Sequence, residues 1–217
     1  MCTRYNVDPL TREFEEILEE AERSALIEKF RAMGMEMKTS GEIRPTDVVP
    51  VIAKDRSGKK KVFPMKWGFR IKEGPVTVNA RVESASEKAS FRESWRKRRC
   101  IIPASSYFEW EHLDRGDGKK SAGSKYSISP KGQEMTWLCG LYRMEDGLPV
   151  FTVLTRDASE DVAALHDRMP LMLPEDMITE WLDSETDPDT VVKFALTSMT
   201  LEKVKEKDPG EEQLSLL

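Results

Sequence analysis

Apolar residues near the start of the chain recur with a helical spacing. From Phe14 to Ala21 they return at intervals of three and four, with glutamates between them, which is typical of an amphipathic helix with one buried face. Asp8 is a suitable cap for such a helix, and Pro9 suits its first position. The spacing therefore predicts one helix over residues 8–33, followed by a loop at 34–46.

After this loop the pattern changes to short segments that are rich in β-branched and aromatic residues, which predicts strands. Turn sequences such as Asp55–Gly58 and Arg115–Gly118 separate several of these segments. Three short amphipathic helices are predicted near the carboxyl end. The predicted strands are 48–53, 61–70, 76–80, 100–110, 125–129, 135–142 and 150–155, and the predicted helices are 160–166, 175–182 and 190–196.

The order of these elements predicts the fold class. Many strands with few helices, and without strand–helix–strand alternation, favour a single α+β domain with a mostly antiparallel, barrel-like sheet core and flanking helices. We see no internal repeat and no linker. Residues 1–203 are expected to form this domain, and the polar residues 204–217 a flexible tail.

Composition narrows the class of protein further. The chain has 217 residues, of which 39% are hydrophobic and 34% charged, and no apolar run is long enough to span a membrane. It shows no secretory leader, so a cytoplasmic protein is expected, nucleoid-associated when bound to DNA. Neither metal nor cofactor is expected, because no metal-binding spacing links Cys2, Cys100 and Cys139 or the histidines His112 and His166.

Charge is distributed unevenly along the chain. The net charge is −5, yet residues 54–100 hold 15 Lys and Arg against 5 Asp and Glu, most densely in Arg92–Arg99. This segment is either a solvated helix face or a local footprint for a polyanion such as DNA. The sequence leaves both interpretations open.

Cys2 directly follows the initiator methionine. If Met1 is removed, Cys2 carries a free α-amine and a thiol, whose ordinary pKa values are about 7.7–8.0 and 8.5. Such a pair condenses with an aldehyde to an imine, which the thiol closes to a thiazolidine. Alternatively, it attacks an acyl carbon as an amino-terminal nucleophile, or it is an ordinary frayed terminus.

Six segments carry further motifs in a fixed order: Met1–Tyr5, Arg44–Val51, Pro64–Gly68, Asn79–Glu83, Phe91–Trp110 and Leu165–Pro170. Together they resemble the SRAP family, the SOS response-associated peptidases or abasic-site processing proteins. The resemblance runs from residue 1 to about residue 174. Thr3 and Ser106 stand where the family usually has glycine, and Thr3 lies beside the candidate nucleophile.

The resemblance implies a crosslinking, lyase-type enzyme that captures abasic sites in single-stranded DNA through a Cys2 thiazolidine. By the same resemblance, His166 handles the proton on the sugar ring oxygen. Glu109 orients the Cys2 amine and exchanges protons with it, and Asn79 hydrogen-bonds the amino terminus or the opened sugar. The family name also implies self-cleavage ahead of the cysteine. Removal of Met1 by the site itself or by an aminopeptidase both remain open.

Several side chains are expected to contact DNA. Arg4 and Arg81 are the first candidates for phosphate contacts, because a planar guanidinium binds two phosphate oxygens at once. Trp67 either stacks on a base beside the lesion or lies in the core. Each of the remaining basic side chains has a surface ion pair as its alternative role. The remaining expected DNA contacts are Pro45, Lys66, Arg156 and Arg168.

The expected partner is single-stranded DNA with abasic sites, bound by a monomer. The final Gln213–Leu217 is similar to the peptide by which bacterial replication partners dock on the sliding clamp, and an ordinary chain end is the alternative. Two other functions compete with crosslinking. One is an amino-terminal-nucleophile peptidase or amidase, and the other is a single-strand binding module without chemistry.

Overall fold

The computed structural model describes residues 3–8, 11–71, 74–114 and 120–205. Within these ranges the strands form two sheets. In chain order they are β1 (Tyr5–Val7), β2 (Gly41–Ile43), β3 (Val48–Lys54), β4 (Lys60–Trp67), β5 (Asn79–Arg81), β6 (Arg99–Ala104), β7 (Ser106–Asp114), β8 (Lys120–Pro130), β9 (Thr136–Glu145), β10 (Leu148–Asp157), β11 (Arg168–Pro170) and β12 (Met199–Lys203).

Five strands of the larger sheet close into a barrel, in the order β10-β4-β3-β6-β9 with β9 pairing back onto β10. Most pairs are antiparallel, but β10 runs parallel to both β4 and β5. Strand β11 also pairs with β10. The predicted α+β domain with a barrel-like, mostly antiparallel core is confirmed.

The second sheet has the order β12-β8-β7-β1-β2 and packs its inner face on the barrel. Its β1 strand pairs Tyr5 with Ile43 on one side and with Tyr107 on the other. Tyr5 and Tyr107 are fully buried, and the Tyr5 ring centroid lies 5.3 Å from that of Trp67. The sequence pattern missed β1 and β2, because three residues are too few to show an alternation.

The helices are short and lie outside the sheets, and none in the described part of the chain has the length and apolar character needed to cross a membrane. Single-turn 3₁₀ helices lie at Glu175–Met177 and Val192–Phe194. The α-helices are α1 (Arg12–Glu22), α2 (Leu26–Ala32), α3 (Val82–Ala85), α4 (Arg92–Lys97), α5 (Glu160–Ala163), α6 (Ile178–Leu182) and α7 (Pro188–Val191).

The prediction of one helix over 8–33 is wrong, because the chain forms two helices there. Thr11 rather than Asp8 caps α1, since its side chain accepts a hydrogen bond from the Phe14 N–H at 3.2 Å. At the break, the Ser24 hydroxyl accepts from the Leu26 N–H at 3.4 Å. Serine competes in this way with the helical hydrogen-bond ladder, so α1 ends before it.

The predicted strand 100–110 is also two strands, one in each sheet. The chain leaves the barrel at Ser105, whose N–H donates to the Asn6 carbonyl at 2.8 Å and whose hydroxyl accepts from the Asp8 N–H at 2.7 Å. These contacts turn β7 onto β1. The change of sheet carries Glu109 away from the barrel wall and toward the beginning of the chain.

Gly140 on β9 marks the closest approach inside the barrel. A Cβ there would lie 2.6 Å from Ile102 Cδ1 and 2.8 Å from the Thr152 carbonyl oxygen. We therefore expect Gly140→Ala to lower the free energy of unfolding by about 1–3 kcal/mol, since the β10 backbone cannot yield. Urea unfolding measures this. The matched control is Gly74→Ala, whose nearest contact is 3.8 Å away, and equal stability of the two variants would contradict the prediction.

Candidate active site

The candidate site lies where β10 ends between two shorter strands. On one side β5 runs parallel to it and places Arg81 opposite Thr155. On the other side β11 is antiparallel and places Arg168 opposite Asp157. Because the three strands are adjacent, the segment that carries Asn79 and the segment that follows His166 lie at the same end of the barrel.

Glu109 reaches this end from the second sheet. It is two residues beyond the buried Tyr107, so its side chain shares the inner face of β7 and is only 5% exposed. Burial raises the pKa of the Glu109 carboxyl above its ordinary value. The Asp167 carboxylate acts in the same direction, whereas a hydrogen bond from the Trp110 N–H opposes it. Glu109 is thus a buried acid in electrostatic contact with the loop that carries His166.

His166 follows the short helix α5, and its side chain is 13% exposed. Its Nδ1 accepts a hydrogen bond from the Arg168 N–H at 2.9 Å, and the same atom lies 2.7 Å from the Asp167 carboxylate. The first contact requires an unprotonated Nδ1, and the second a protonated one. The surroundings therefore offer a partner to both the neutral and the charged imidazole, as a proton-transfer group requires.

Three of the four predicted catalytic residues lie in described positions. Asn79 is half-buried with its amide oxygen buried, and Glu109 and His166 lie as above. Cys2 lies outside the described residues. The Arg4 carbonyl accepts from the Phe108 N–H at 2.9 Å, and this antiparallel register, continued by one residue, sets position 3 opposite Glu109.

The basic side chains expected to contact DNA differ in their surroundings. Arg81 is exposed at the end of β5, while Pro45, Lys66 and Arg156 are half-buried. Arg4 is held by the Glu42 carboxylate. Among these arginines, Arg81 is therefore the most accessible to a phosphate group.

Sequence reasoning missed Glu42, which organises the outer face of the second sheet. Its carboxylate pairs with Arg4 and Lys125, and lies 3.3 Å from Arg44. The Lys125 ammonium also sits 3.8 Å from the centre of the Phe108 ring. Partial burial opposes ionisation, but the hydrogen bonds from Lys125 and Arg4 prevail and lower the pKa of Glu42. No motif signalled this cluster, since its members are far apart in the chain.

The expectation that Arg168 contacts a phosphate stays a prediction, and in this structure the side chain is buried among other partners. The guanidinium is 7% exposed and makes two bonds to Glu83, at 2.9 and 2.8 Å, besides pairing with Asp157. It also donates to the Thr155 carbonyl at 2.8 Å. Glu83 thus already occupies the pair of N–H donors on the edge of the guanidinium that would bind two phosphate oxygens.

Of the two roles left open for Trp67, the structure places the ring in the core. Its ring is fully buried, 5.3 Å from the Tyr5 ring and 6.1 Å from the Phe151 ring. The indole N–H donates to the Val78 carbonyl at 2.9 Å. Trp67 therefore links Tyr5 of β1 to Val78, the residue before Asn79, and helps to hold the Asn79 segment in place.

The basic run Arg92–Arg99 divides in the structure. Arg92, Arg96 and Lys97 lie on α4 and face outward, as a solvated helix face or a polyanion footprint would. Arg99 is 3% exposed and donates to the carbonyls of Trp95 and Thr186, both at 2.9 Å. Arg99 is thus a structural residue that ties α4 to the segment after α6.

Comparison with known families decides the relationship. The family model described as SRAP, SOS response associated peptidase, matches residues 1–207. This chain belongs to the SRAP family. The resemblance drawn from its motifs is thereby confirmed over nearly the whole chain.

Relatives of this SRAP chain carry a common description. It is 32% identical over 201 residues to abasic site processing protein YoqW of Bacillus subtilis, covering 87% of this chain and 84% of the relative. Abasic site processing protein YedK of Escherichia coli is 26% identical over 146 residues, with 62% and 61% covered. Abasic site processing protein HMCES of Gallus gallus is 27% identical over 158 residues, with 58% and 46% covered.

Solved structures share the SRAP fold at low sequence identity. A protein from Bacteroides thetaiotaomicron superposes with a TM-score of 0.69 at 20% identity, with 96% of each chain covered. A phage-related protein from Bordetella bronchiseptica gives a TM-score of 0.68 at 18% identity, with 95% of each chain covered. These matches support the architecture described above.

The described cysteines of this SRAP chain are unsuited to chemistry. Cys100 and Cys139 are fully buried, and burial raises the pKa of each thiol well above its ordinary value. We expect a Cys2→Ala variant to take up no iodoacetamide while folded and two labels after denaturation, because the thiolate is the reacting form. Mass spectrometry of the intact protein counts the labels. Labelling of the folded variant would contradict this prediction.

Proposed function

We propose that this chain captures abasic sites in single-stranded DNA by forming a covalent thiazolidine crosslink from Cys2, as part of the DNA damage response. The observation that carries the proposal is the buried Glu109 carboxyl. It lies opposite position 3 in the β1–β7 register and is repelled by the Asp167 carboxylate, next to His166. The relatives named abasic site processing proteins support the same substrate.

Covalent geometry supports the role of Cys2. Successive Cα atoms are about 3.8 Å apart, so the proposal needs the reacting residue only one position before Thr3, which the β1–β7 register sets opposite Glu109. Removal of Met1 would then present an amine and a thiol beside a carboxyl that is poised to exchange protons. Self-cleavage and an aminopeptidase both remain as the source of that removal.

The proposed reaction proceeds in three balanced steps. His166 gives a proton to the sugar ring oxygen as the ring C–O bond breaks, and the hemiacetal hydroxyl gives up its proton to solvent, which leaves the open aldehyde. The Cys2 amine then adds to the aldehyde carbon, and water leaves to give an imine, with Glu109 accepting a proton from nitrogen and returning one to the departing hydroxyl. Finally, the thiol sulfur adds to the imine carbon and its proton passes to nitrogen, which closes the thiazolidine. Asn79 holds the opened sugar.

DNA contacts in this proposal come from Arg81 first and from Arg4, Lys66, Arg156 and Pro45 around it. Arg4 would exchange its Glu42 partner for a phosphate. Because each neutralised phosphate releases a counterion, binding should weaken steeply with added salt.

A denaturing gel tests the function. Wild-type protein incubated with an abasic single-stranded oligonucleotide should give a heat-stable band of slower mobility. An intact oligonucleotide and the Cys2→Ala variant should give none, and protein that retains Met1 should fail in the same way. An adduct that persists in Cys2→Ala would overturn the proposal.

Two other outcomes would identify the competing functions. Hydrolysis of a peptide or amide without DNA would indicate an amino-terminal nucleophile, which the family description keeps open. Salt-sensitive binding that ignores both Cys2 and the lesion would indicate a binding module.

We also propose that Gln213–Leu217, which lies outside the described residues, docks on the sliding clamp while the chain acts as a monomer. A purified clamp titrated with wild-type protein and with a variant lacking residues 212–217 tests this. Equal affinities would reject the docking.

A further inference from the structure

Glu83 and Arg168 form a two-pronged contact across the candidate site. The Arg168 Nη1 donates to Glu83 Oε1 at 2.9 Å and its Nη2 to Oε2 at 2.8 Å. A parallel pair of this kind fixes the relative orientation of the two groups as well as their separation. Asp157 and the Thr155 carbonyl complete the set of acceptors on β10.

This contact joins two segments that are distant in sequence. Glu83 lies in the first turn of α3, directly after the strand that carries Asn79 and Arg81. Arg168 begins β11, two residues after His166. The pair therefore holds the Asn79 segment and the His166 segment together over the end of β10.

The backbone of Arg168 also sets the His166 ring. Its N–H donates to His166 Nδ1 at 2.9 Å when the ring is neutral there, and the Asp167 carboxylate, 2.7 Å from the same atom, accepts from Nδ1 when the ring is protonated, so the ring is held at Nδ1 in both states. Because the guanidinium is anchored at four acceptor atoms, the N–H of the same residue is held in place for this bond. A shift of Arg168 would release the ring to rotate and to change tautomer.

We propose that Glu83 is a positioning residue for proton transfer at His166, acting through the two-pronged Arg168 contact. The inference rests on the proposed function, because it gives His166 the proton-transfer step. Glu83 itself touches neither DNA nor the reacting atoms. It presents the Nε2–H of His166 toward the site by fixing the residue that holds Nδ1.

The first test observes the ring without DNA. The chain has two histidines, so protein labelled with ¹⁵N-histidine gives two imidazole patterns, and His112→Gln assigns them. At a pH where His166 is neutral, wild-type protein should show one dominant tautomer, with one pyridine-like and one pyrrole-like ring nitrogen. In Glu83→Ala the two signals should move toward averaged values. Retention of the wild-type pattern would overturn the proposal.

The matched control is Glu87→Ala, an exposed glutamate four residues further on. It should keep the wild-type pattern, and the same averaging there would reject a specific role for Glu83. If Glu83→Ala does not fold in a thermal melt, Glu83→Gln decides. The glutamine side chain has one carbonyl oxygen, so it can accept only one of the two Arg168 hydrogen bonds. Partial averaging of the two His166 nitrogen signals is therefore expected, and an unchanged spectrum would refute the proposal.

The second test follows the reaction in single turnover. Glu83→Ala should form the adduct about 10- to 100-fold more slowly, because small misplacements of a reacting group cost that much. Its affinity for an oligonucleotide with a tetrahydrofuran abasic analogue, which has no aldehyde, should be unchanged. A loss of affinity with no loss of rate would instead make the pair a DNA contact.

Failure of the proposed function and failure of the positioning inference give different results. If wild-type protein forms no adduct, the proposed function fails, while the histidine spectra still report whether Glu83 orients the ring. If the adduct forms at the wild-type rate in Glu83→Ala, only the positioning inference fails.

Discussion

Replacing Glu109 by glutamine is expected to slow adduct formation by about 10²–10⁴-fold, the usual contribution of a positioned acid–base group. The amide would keep the shape of the side chain and its hydrogen-bonding capacity but could neither accept nor return a proton. Single-turnover rates on an abasic oligonucleotide measure the effect. Binding of an intact oligonucleotide should not change, because Glu109 is buried away from the phosphates. A rate within a few-fold of wild type would remove Glu109 from the mechanism.

The same substitution has an expected signature in stability. Burial raises the pKa of Glu109 in the folded state, so the folded protein binds more protons than the unfolded chain between the two pKa values. Stability then falls as pH rises through that window. Glu109→Gln lacks this titration, so its melting temperature relative to wild type should increase from pH 4 to neutrality. Glu180→Gln, an exposed control on α6, should show no such trend, and a flat difference for Glu109→Gln would contradict the burial argument.

Trp67→Ala is expected to lower the free energy of unfolding by about 3–5 kcal/mol, the range for truncating a buried tryptophan. The ring fills space between Tyr5 and Phe151, and its N–H satisfies the Val78 carbonyl. Chemical denaturation measures the loss. Trp67→Phe keeps much of the packing but removes one of the two hydrogen bonds to that carbonyl, which still accepts from the Val153 N–H at 3.0 Å, at a cost of about 0.5–1.5 kcal/mol.

The two roles considered for Trp67 make opposite predictions. If the ring stacked on a base, alanine would weaken DNA binding and leave stability nearly unchanged. A buried support loses stability first, and DNA binding falls only as the fold is lost. Trp67→Phe separates the two, since a phenyl ring still stacks on a base but cannot donate the hydrogen bond.

The sequence predicts the barrel better than the second sheet for a physical reason. Barrel strands such as β3 and β10 are long and rich in apolar and β-branched residues, so their composition alone identifies them. In contrast, β1 and β2 have three residues each, and the partners of β1 lie about forty and a hundred residues away. Nothing local in Tyr5–Val7 indicates that it will be an interior strand of a sheet.

At the candidate site, residue types were predictable and their partners were not. The motifs pointed to Asn79, Glu109 and His166, which the fold carries on β5, on β7 and in the loop before β11. They did not reveal that Arg168 is neutralised by Glu83, because such a pairing across 85 positions depends on tertiary structure. Aromatic identity likewise says nothing about whether Trp67 faces solvent or the core.

The interior position of β1 has a consequence during protein synthesis. Tyr5 pairs with Tyr107, a residue made roughly a hundred positions later. At about 5–20 residues per second, the ribosome leaves the first strand waiting some 5–20 s for this neighbour. Through that interval Tyr5 lacks the strand that buries it, and the proposed crosslinking chemistry would stay latent until β7, which carries Glu109, emerges.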